Sequence, residues 1–307
     1  MSYYQQQNRR RLTIGEDGNT LVTLIAINLV VFVILSFIKV VYYFSYNATG
    51  LEMYNRQILD WVSLSANLHT FIGKPWTLLT HMFVHDGVWH LIANMLWLWA
   101  FGFILQNLTG NRKLIPIFIY GALAGAVAFM LSYNLIPAIR DMASDKAIGA
   151  SAGVMAIAIA TTVIAPNYRV FPMINGGIPL WVITLLFAII DLATIPYGNP
   201  GGHIAHLAGA GMGWAFVSFL RRGTDLSNWM NACFDWANDL FNPDKTKQAK
   251  VVKSQIFYKA SVKPFNKKPN VTQQRVDDIL DKINQCGYNS LTEDEKEVLR
   301  RASKEDI

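Results

Sequence analysis

The chain has 307 residues, 52% of them hydrophobic and only 16% charged, with a net charge of +6 and a mean hydropathy of +0.24. An ordinary soluble domain carries about 25% charge, so this composition argues against a wholly soluble protein. The positive excess sits at the ends and in short loops, a pattern of membrane topology and lipid contact rather than of nucleic-acid binding.

Residues from about 20 to 220 are apolar with sparse charge, and the last 85 or so are polar and lysine-rich. That division predicts a polytopic membrane domain followed by a soluble tail. The N-terminal stretch is polar through Asp17 and shows no small-residue cleavage site behind a short apolar core. The first apolar segment is therefore expected to stay as a membrane anchor.

A spanning helix needs about 20 predominantly apolar residues. Six segments approach this, at roughly 20–43, 89–107, 114–135, 150–165, 179–196 and 203–220. The fourth and fifth are short, as suits helices enclosed by others. Arg9, Arg10 and Arg11 precede the first segment, and Arg112 and Lys113 separate the second from the third. Arg169 follows the fourth, and Arg221 and Arg222 follow the sixth. With six spans all of these fall on one side, which the positive-inside rule makes cytoplasmic, with both termini inside. The loops on the other side hold Arg56, Lys74, Arg140 and Lys146, offset by Glu52, Asp60, Asp141 and Asp145.

The first outer loop, about 45–88, mixes Trp61, Leu64, Leu68, Phe71 and Trp76 with polar residues. It is expected to lie in the interface as short amphipathic helices. After the sixth segment, Leu226, Trp229, Met230, Cys233, Trp236, Ala237, Leu240 and Phe241 recur at helical spacing, predicting an amphipathic helix on the inner membrane surface. Lys245 to Lys268 holds eight lysines and no acidic residue, interleaved with Phe257, Tyr258 and Phe265. Beside a membrane such a segment is expected to meet anionic headgroups rather than nucleic acid. Val276 to Ser303 predicts two short helices. Ile279, Leu280 and Ile283 form the stripe of the first, Gly287 ends it, and Thr292 with Glu295 forms a capping box for the second. Cys233 and Cys286 both lie in the tail and are expected to be free thiols.

The expected fold is therefore all-α, a six-helix membrane bundle with a small helical tail. Its parts are an N-terminal segment at 1–19, the membrane domain at 20–222, an interfacial helix at 223–244, a lysine-rich linker at 245–274 and a helical module at 275–307.

Three polar stretches stand out. His90 and Asn94 open the second segment, Ser151 opens the fourth after Gly149-Ala150, and His206 opens the sixth. Under the six-span topology these three helices run the same way, so the three stretches share one depth near the outer face. Polar residues within a membrane are costly and mark function by default. A serine hydroxyl becomes a nucleophile when a base takes its proton, and His206 is the candidate base. Attack on an amide makes an oxyanion that needs preorganised donors. His90 and Asn94 share a helix face and could act with the Ser151 backbone N–H, a first-turn amide without an intrahelical partner. No aspartate lies near His206 in sequence, so a dyad is expected rather than a triad. Gly209 and Gly213, and Gly149, Ala152 and Gly153, form small-residue faces that would let the fourth and sixth helices pack closely.

These motifs resemble those of the rhomboid intramembrane serine proteases over roughly residues 20–222. Gly149-Ala150-Ser151 is similar to that family's G-x-S nucleophile motif, and His90 through Asn94 to its H-x-x-x-N. His206-x-x-Gly209-x-x-x-Gly213 is similar to its catalytic histidine followed by G-x-x-x-G. The tail resembles the extra C-terminal segment of some bacterial members. The resemblance implies a serine endopeptidase that cuts transmembrane segments of other membrane proteins without a cofactor or metal, in a bacterial inner membrane. The chain departs from the common pattern at Ala152, at Met155, where many members carry an aromatic against the catalytic histidine, at Thr77 and at Gln106.

Other readings are weaker. Ser151 alone would read as helix packing. His203 is expected to support a loop, and His85, Asn199 and His203 to line a polar water entry. His81 and His85 are four apart, as in a metal pair, but no further ligand falls at a recognisable spacing. Asp191, near the outer end of the fifth segment, is expected to be solvated or paired rather than part of an ion pathway. The alternative from a different class is a non-catalytic relative that binds membrane clients without cutting them. The sequence carries no signal for an oligomeric state.

Overall fold

The computed structural model describes residues 19–142, 145–171, 173, 176–195, 199–240 and 273–303. The arginines at 9–11 and the lysine-rich stretch 245–268 lie outside these residues. The chain divides into two compact units, Met1–Pro243 and Asp244–Ile307.

The first unit is a helical bundle. Its main helices are α1 (Thr20–Tyr46), α2 (Val88–Thr109), α3 (Leu114–Leu135), α4 (Ser151–Ile164), α5 (Leu180–Thr194), α6 (Pro200–Arg221) and α7 (Asn228–Leu240). Among the described residues, four helical stretches are long and apolar enough to cross a membrane: those containing α1, α2, α3 and α6. The helices α4 and α5 are apolar but shorter. Enclosure, expected for both from their lengths, holds for α4 and not for α5, whose apolar face stays open.

Local signals set the helix ends. The Asn19 side chain caps α1 by accepting from the Val22 amide. Gly110, at φ 79°, closes α2 in a conformation that costs glycine little. Asn199 caps α6 from the left-handed region and accepts from the Gly202 amide, and Pro200 occupies the first helical position.

The helix α4 is the axis of the bundle. Ala156, Ile157, Ala158, Ala160 and Met155 are fully buried in it, and it packs against α2, α3 and α6. Small residues make this possible. A Cβ on Gly209 would stand 2.2 Å from the Ala152 carbonyl oxygen, and one on Gly213 would stand 2.2 Å from that of Ala156. From the other side, a Cβ on Gly121 would stand 2.2 Å from the Ala156 Cβ. Backbones this close trade side-chain bulk for dense van der Waals contact, the main attraction between helices in lipid. By contrast, α5 leaves Trp181, Leu185, Leu186, Ile189, Ile190 and Leu192 exposed on its outer face.

The segment between α1 and α2 departs in part from the interfacial expectation. Trp61 and Trp76 do stack in the open at 5.8 Å, with the Lys74 ammonium over the Trp61 ring. Yet Leu64, Ala66, Met82 and Val84 are buried. Leu64 and Ser65 pair with Ala147 and Lys146 in a short antiparallel bridge, and Leu64 and Ala66 join Ala126, Phe129, Tyr133 and Ala205 in one apolar cluster. Backbone pairing and burial hold the segment on the bundle. Thr77 lies within it, buried, and its hydroxyl donates to the Lys74 carbonyl at 2.7 Å.

At the opposite end of the bundle, Lys113 binds the Asp225 carboxylate and the Ser227 hydroxyl, tying the start of α3 to the turn before α7. Trp229 donates to Tyr120, and Met230 is buried, while Trp236 and Leu240 stay exposed. Gln106 pairs with Asn111 at the turn between α2 and α3.

The second unit holds α8 (Gln273–Cys286) and α9 (Glu293–Ala302). Ile279, Leu291 and Val298 form its core. Gly287, at φ 82°, follows α8, and Thr292 with Glu295 forms a reciprocal capping box on α9. Lys282 donates to both Glu295 oxygens. That pairing, with the Thr292 amide, holds the Glu295 carboxyl down to about 2.

Candidate active site

The three polar stretches converge at one end of the bundle, around a cavity of about 830 Å³. His90, Asn94, Gly149, Ser151, Asn199 and His206 all line it. They come from the first two turns of α2, α4 and α6 or from the residues just before them, because these three helices all begin at this end.

Ser151 is the first residue of α4, and its Oγ lies 2.6 Å from His206 Nε2. The two residues are 55 positions apart and meet because Gly209, one turn after His206, rests on the backbone of Ala152. Gly149 shapes the approach. Its φ of 117° is one that L side chains rarely adopt, and its amide donates to the His81 carbonyl at 2.9 Å. A Cβ on Gly149 would stand 2.9 Å from His90 Nε2. The glycine therefore leaves the space in front of Ser151 open and the His90 ring edge facing it.

Asn94 is buried, and its amide donates to the His90 carbonyl at 2.9 Å. An amide nitrogen has two hydrogens, so one remains for a ligand. His90 Nδ1 lies 3.2 Å from an Asp86 carboxylate oxygen. With Nδ1–H turned to that carboxylate, Nε2 donates only when the ring is doubly protonated. The cavity thus offers a serine–imidazole pair together with an amide, an imidazole and first-turn backbone N–H groups. That set can take a proton from a hydroxyl and stabilise a developing oxyanion.

Asp191 corrects the expectation of an isolated histidine. It sits in the last turn of α5, 6% exposed, and its Oδ1 lies 2.7 Å from His206 Nδ1 and 2.8 Å from His203 Nδ1. The contact joins residues 15 positions apart on two helices, so local spacing around His206 does not reveal it. The signal that could have found it is that Asp191 is the one acidic residue between 150 and 222, buried where an unpaired carboxylate would be costly. Met155 is fully buried within α4, and the His206 ring is fixed by the hydrogen bond its Nδ1 donates to Asp191.

The water-entry expectation also changes. Asn199 lines the main cavity, but His203 is turned to Asp191. His85 is buried and lines a second cavity of about 230 Å³ with Lys39, Tyr54 and Asp86. Burial lowers His85 to about 4, with the His90 charge adding to the effect. His81 does not form a pair with His85. Its Nδ1 lies 2.9 Å from the Thr77 carbonyl oxygen, and burial lowers it to about 4.

Among the described residues, Asp191, His203 and His206 bring one carboxylate oxygen and two ring nitrogens within 4.8 Å of one another, a donor set that a divalent ion can take. Here both imidazoles hydrogen-bond the Asp191 carboxylate directly.

A family model described as the Rhomboid domain matches residues 72–223, and a family of unknown function, DUF6576, matches residues 263–305. The chain is 26% identical over 161 residues to RHOMBOID-like protein 12, mitochondrial, of Arabidopsis thaliana, covering 49% of this chain and 48% of that protein. It is 28% identical over 156 residues to Rhomboid-related protein 2 of Mus musculus, covering 48% and 49%. It is 24% identical over 161 residues to Rhomboid protein 1, mitochondrial, of Saccharomyces cerevisiae, covering 50% and 44%. The chain thus spans about half the length of the curated relatives it matches.

Proposed function

We infer that this chain, which belongs to the rhomboid family, is an intramembrane serine endopeptidase that cleaves the transmembrane segments of other proteins. The observation that carries this reading is the 2.6 Å contact between Ser151 Oγ and His206 Nε2 inside a cavity at one end of an apolar bundle.

His206 takes the Ser151 proton as Oγ attacks the scissile carbonyl, then returns it to the leaving amine. The oxyanion forms near Gly149, where the Ser151 backbone N–H, the second Asn94 hydrogen and His90 Nε2–H can donate. Asp86 orients the His90 ring through the 3.2 Å contact of its carboxylate with Nδ1. Water then attacks the acyl enzyme and gives its proton to His206, and the proton returns to Ser151 Oγ as the Oγ–acyl bond breaks and the acid product leaves.

Substrate would enter sideways from lipid past α5, whose outer face is largely exposed. A transmembrane helix hides its amides in its own hydrogen bonds, so substrates would carry small or helix-weakening residues near the cut. The arginines and lysine at 112–113, 169 and 221–222 lie at the end of the bundle away from Ser151. That supports cytoplasmic termini and a cut near the opposite, outer face, in what we propose is a bacterial inner membrane. The lysines at 245–268 would meet anionic headgroups.

The test is cleavage of a transmembrane substrate co-reconstituted in liposomes. Wild type cuts, and Ser151→Ala and His206→Ala do not. Binding without cutting by the wild type would instead support a client-binding relative. Loss of cleavage on chelation would move the chemistry to a metal at Asp191, His203 and His206.

A further inference from the structure

We propose that Asp191 is the positioning residue of this site, so that the chain works through a Ser151–His206–Asp191 triad in which His203 secures the carboxylate. The proposal rests on the serine-protease reading above and deepens it.

The argument is one of proton bookkeeping. A carboxylate accepts hydrogen bonds and donates none. Asp191 Oδ1 lies within 2.8 Å of the Nδ1 atoms of both His203 and His206, so each of these nitrogens carries a hydrogen. A neutral His206 protonated at Nδ1 has a bare Nε2, the atom 2.6 Å from Ser151 Oγ. The serine hydroxyl must then donate to it. The carboxylate therefore selects the one tautomer that can act as a base. Without it, either ring nitrogen could carry the proton, and the ring could turn into the cavity it lines.

The same contact acts a second time in the reaction. When Nε2 takes the serine proton, the imidazolium forms beside a carboxylate that is 6% exposed. A charge pair in a water-poor site is stabilised far more than in bulk water. His203 lies one turn before His206, with its ring 5.7 Å away at 86°. By donating to the same Oδ1 it holds the carboxylate aimed at both rings. Asp191 thereby also clips the end of α5 to the start of α6, so a purely structural role must be separated from a chemical one.

Two readouts do so. The first is the kinetic split on a transmembrane substrate, beside fluorophosphonate labelling of Ser151. Asp191→Asn keeps the size of the side chain but can turn an N–H donor toward His206. We expect kcat to fall at least about 10²-fold, as when a triad carboxylate is lost, with KM within about twofold. Asp191→Glu returns a carboxylate and should recover part of the rate. His203→Ala should cost less than Asp191→Asn. The second readout needs no activity. In the ¹⁵N spectrum of histidine-labelled wild type, with His206 assigned by loss in His206→Gln, His206 should be the Nδ1–H tautomer, and Asp191→Asn should shift it toward Nε2–H.

A wild type that labels and cleaves, with Asp191→Asn equal to it in kcat, would overturn the proposal and leave a dyad. So would a wild-type His206 in the Nε2–H form, whether or not the Asp191 variants fold. A wild type that neither labels nor cleaves would instead sink the protease reading, and the tautomer measurement would still decide the role of Asp191.

Discussion

Replacing Gly209 by alanine probes how closely α4 and α6 must approach. The added methyl would stand 2.2 Å from the Ala152 carbonyl oxygen, where real contacts of this kind stay above 3.0 Å. The helices must therefore part by at least about 0.8 Å. Because His206 lies one turn away on the same helix, its Nε2 would move from 2.6 Å to roughly 3.4 Å from Ser151 Oγ, outside good hydrogen-bond range. Overpacking of this kind costs about 1–3 kcal/mol, and a misplacement near 1 Å costs on the order of 10²-fold in rate. Gly211→Ala is the internal control, since nothing lies within 4 Å of a Cβ there. It should leave the rate unchanged and, by improving helix propensity, raise stability by up to about 1 kcal/mol. The assay is the rate of fluorophosphonate labelling in detergent, beside a thermal melt of each variant. Wild-type labelling by Gly209→Ala, or equal damage from Gly211→Ala, would refute the close-packing argument.

Three further outcomes follow from the geometry. Removing one oxyanion donor, by His90→Ala or Asn94→Ala, should lower kcat on a transmembrane substrate by about 10²-fold with little change in melting temperature; an unchanged kcat would remove that residue from the role. Burial holds His81 near 4 against 6.5 when unfolded, so the unfolded chain binds the extra proton. Stability is then full above pH 6.5 and falls by up to about 3 kcal/mol toward pH 4, and melts of His81→Asn should show a flatter slope than wild type over that window. In the second unit, Thr292→Ala removes the hydroxyl half of the capping box, the acceptor of the Glu295 amide, and leaves the backbone half in place. Hydrogen exchange of the full chain should then speed up across 293–302 and stay unchanged in α2 to α6.

Much of this was legible in the sequence, for physical reasons. Lipid requires long apolar helices, so hydropathy finds α1, α2, α3 and α6, and the shortness of α4 already marks it as enclosed. The shared direction of α2, α4 and α6 brings His90, Ser151 and His206 to one end without any knowledge of tertiary contacts. The small residues at 209 and 213 gain a specific partner in the Ala152 and Ala156 carbonyls. Asp191 was not legible as a site residue. Its role depends on how the end of α5 meets the start of α6, and a lone acidic residue at a helix end has many uses. The segment between α1 and α2 was read from its amphipathic pattern alone. What holds Leu64 and Met82 inside is pairing with residues 146–147 and the His81 carbonyl's bond to Gly149, contacts too distant in sequence for periodicity to report.

The central claim is that Ser151 is a nucleophile activated by His206. Its most direct measurement is mass spectrometry of the purified protein after reaction with a fluorophosphonate. The account predicts a single phosphonyl adduct on the peptide carrying Ser151, formed in wild type and lost in both Ser151→Ala and His206→Ala while these variants keep the wild-type melting temperature. An unmodified Ser151 in folded wild type, or an adduct that survives in folded His206→Ala at the wild-type rate, would contradict it.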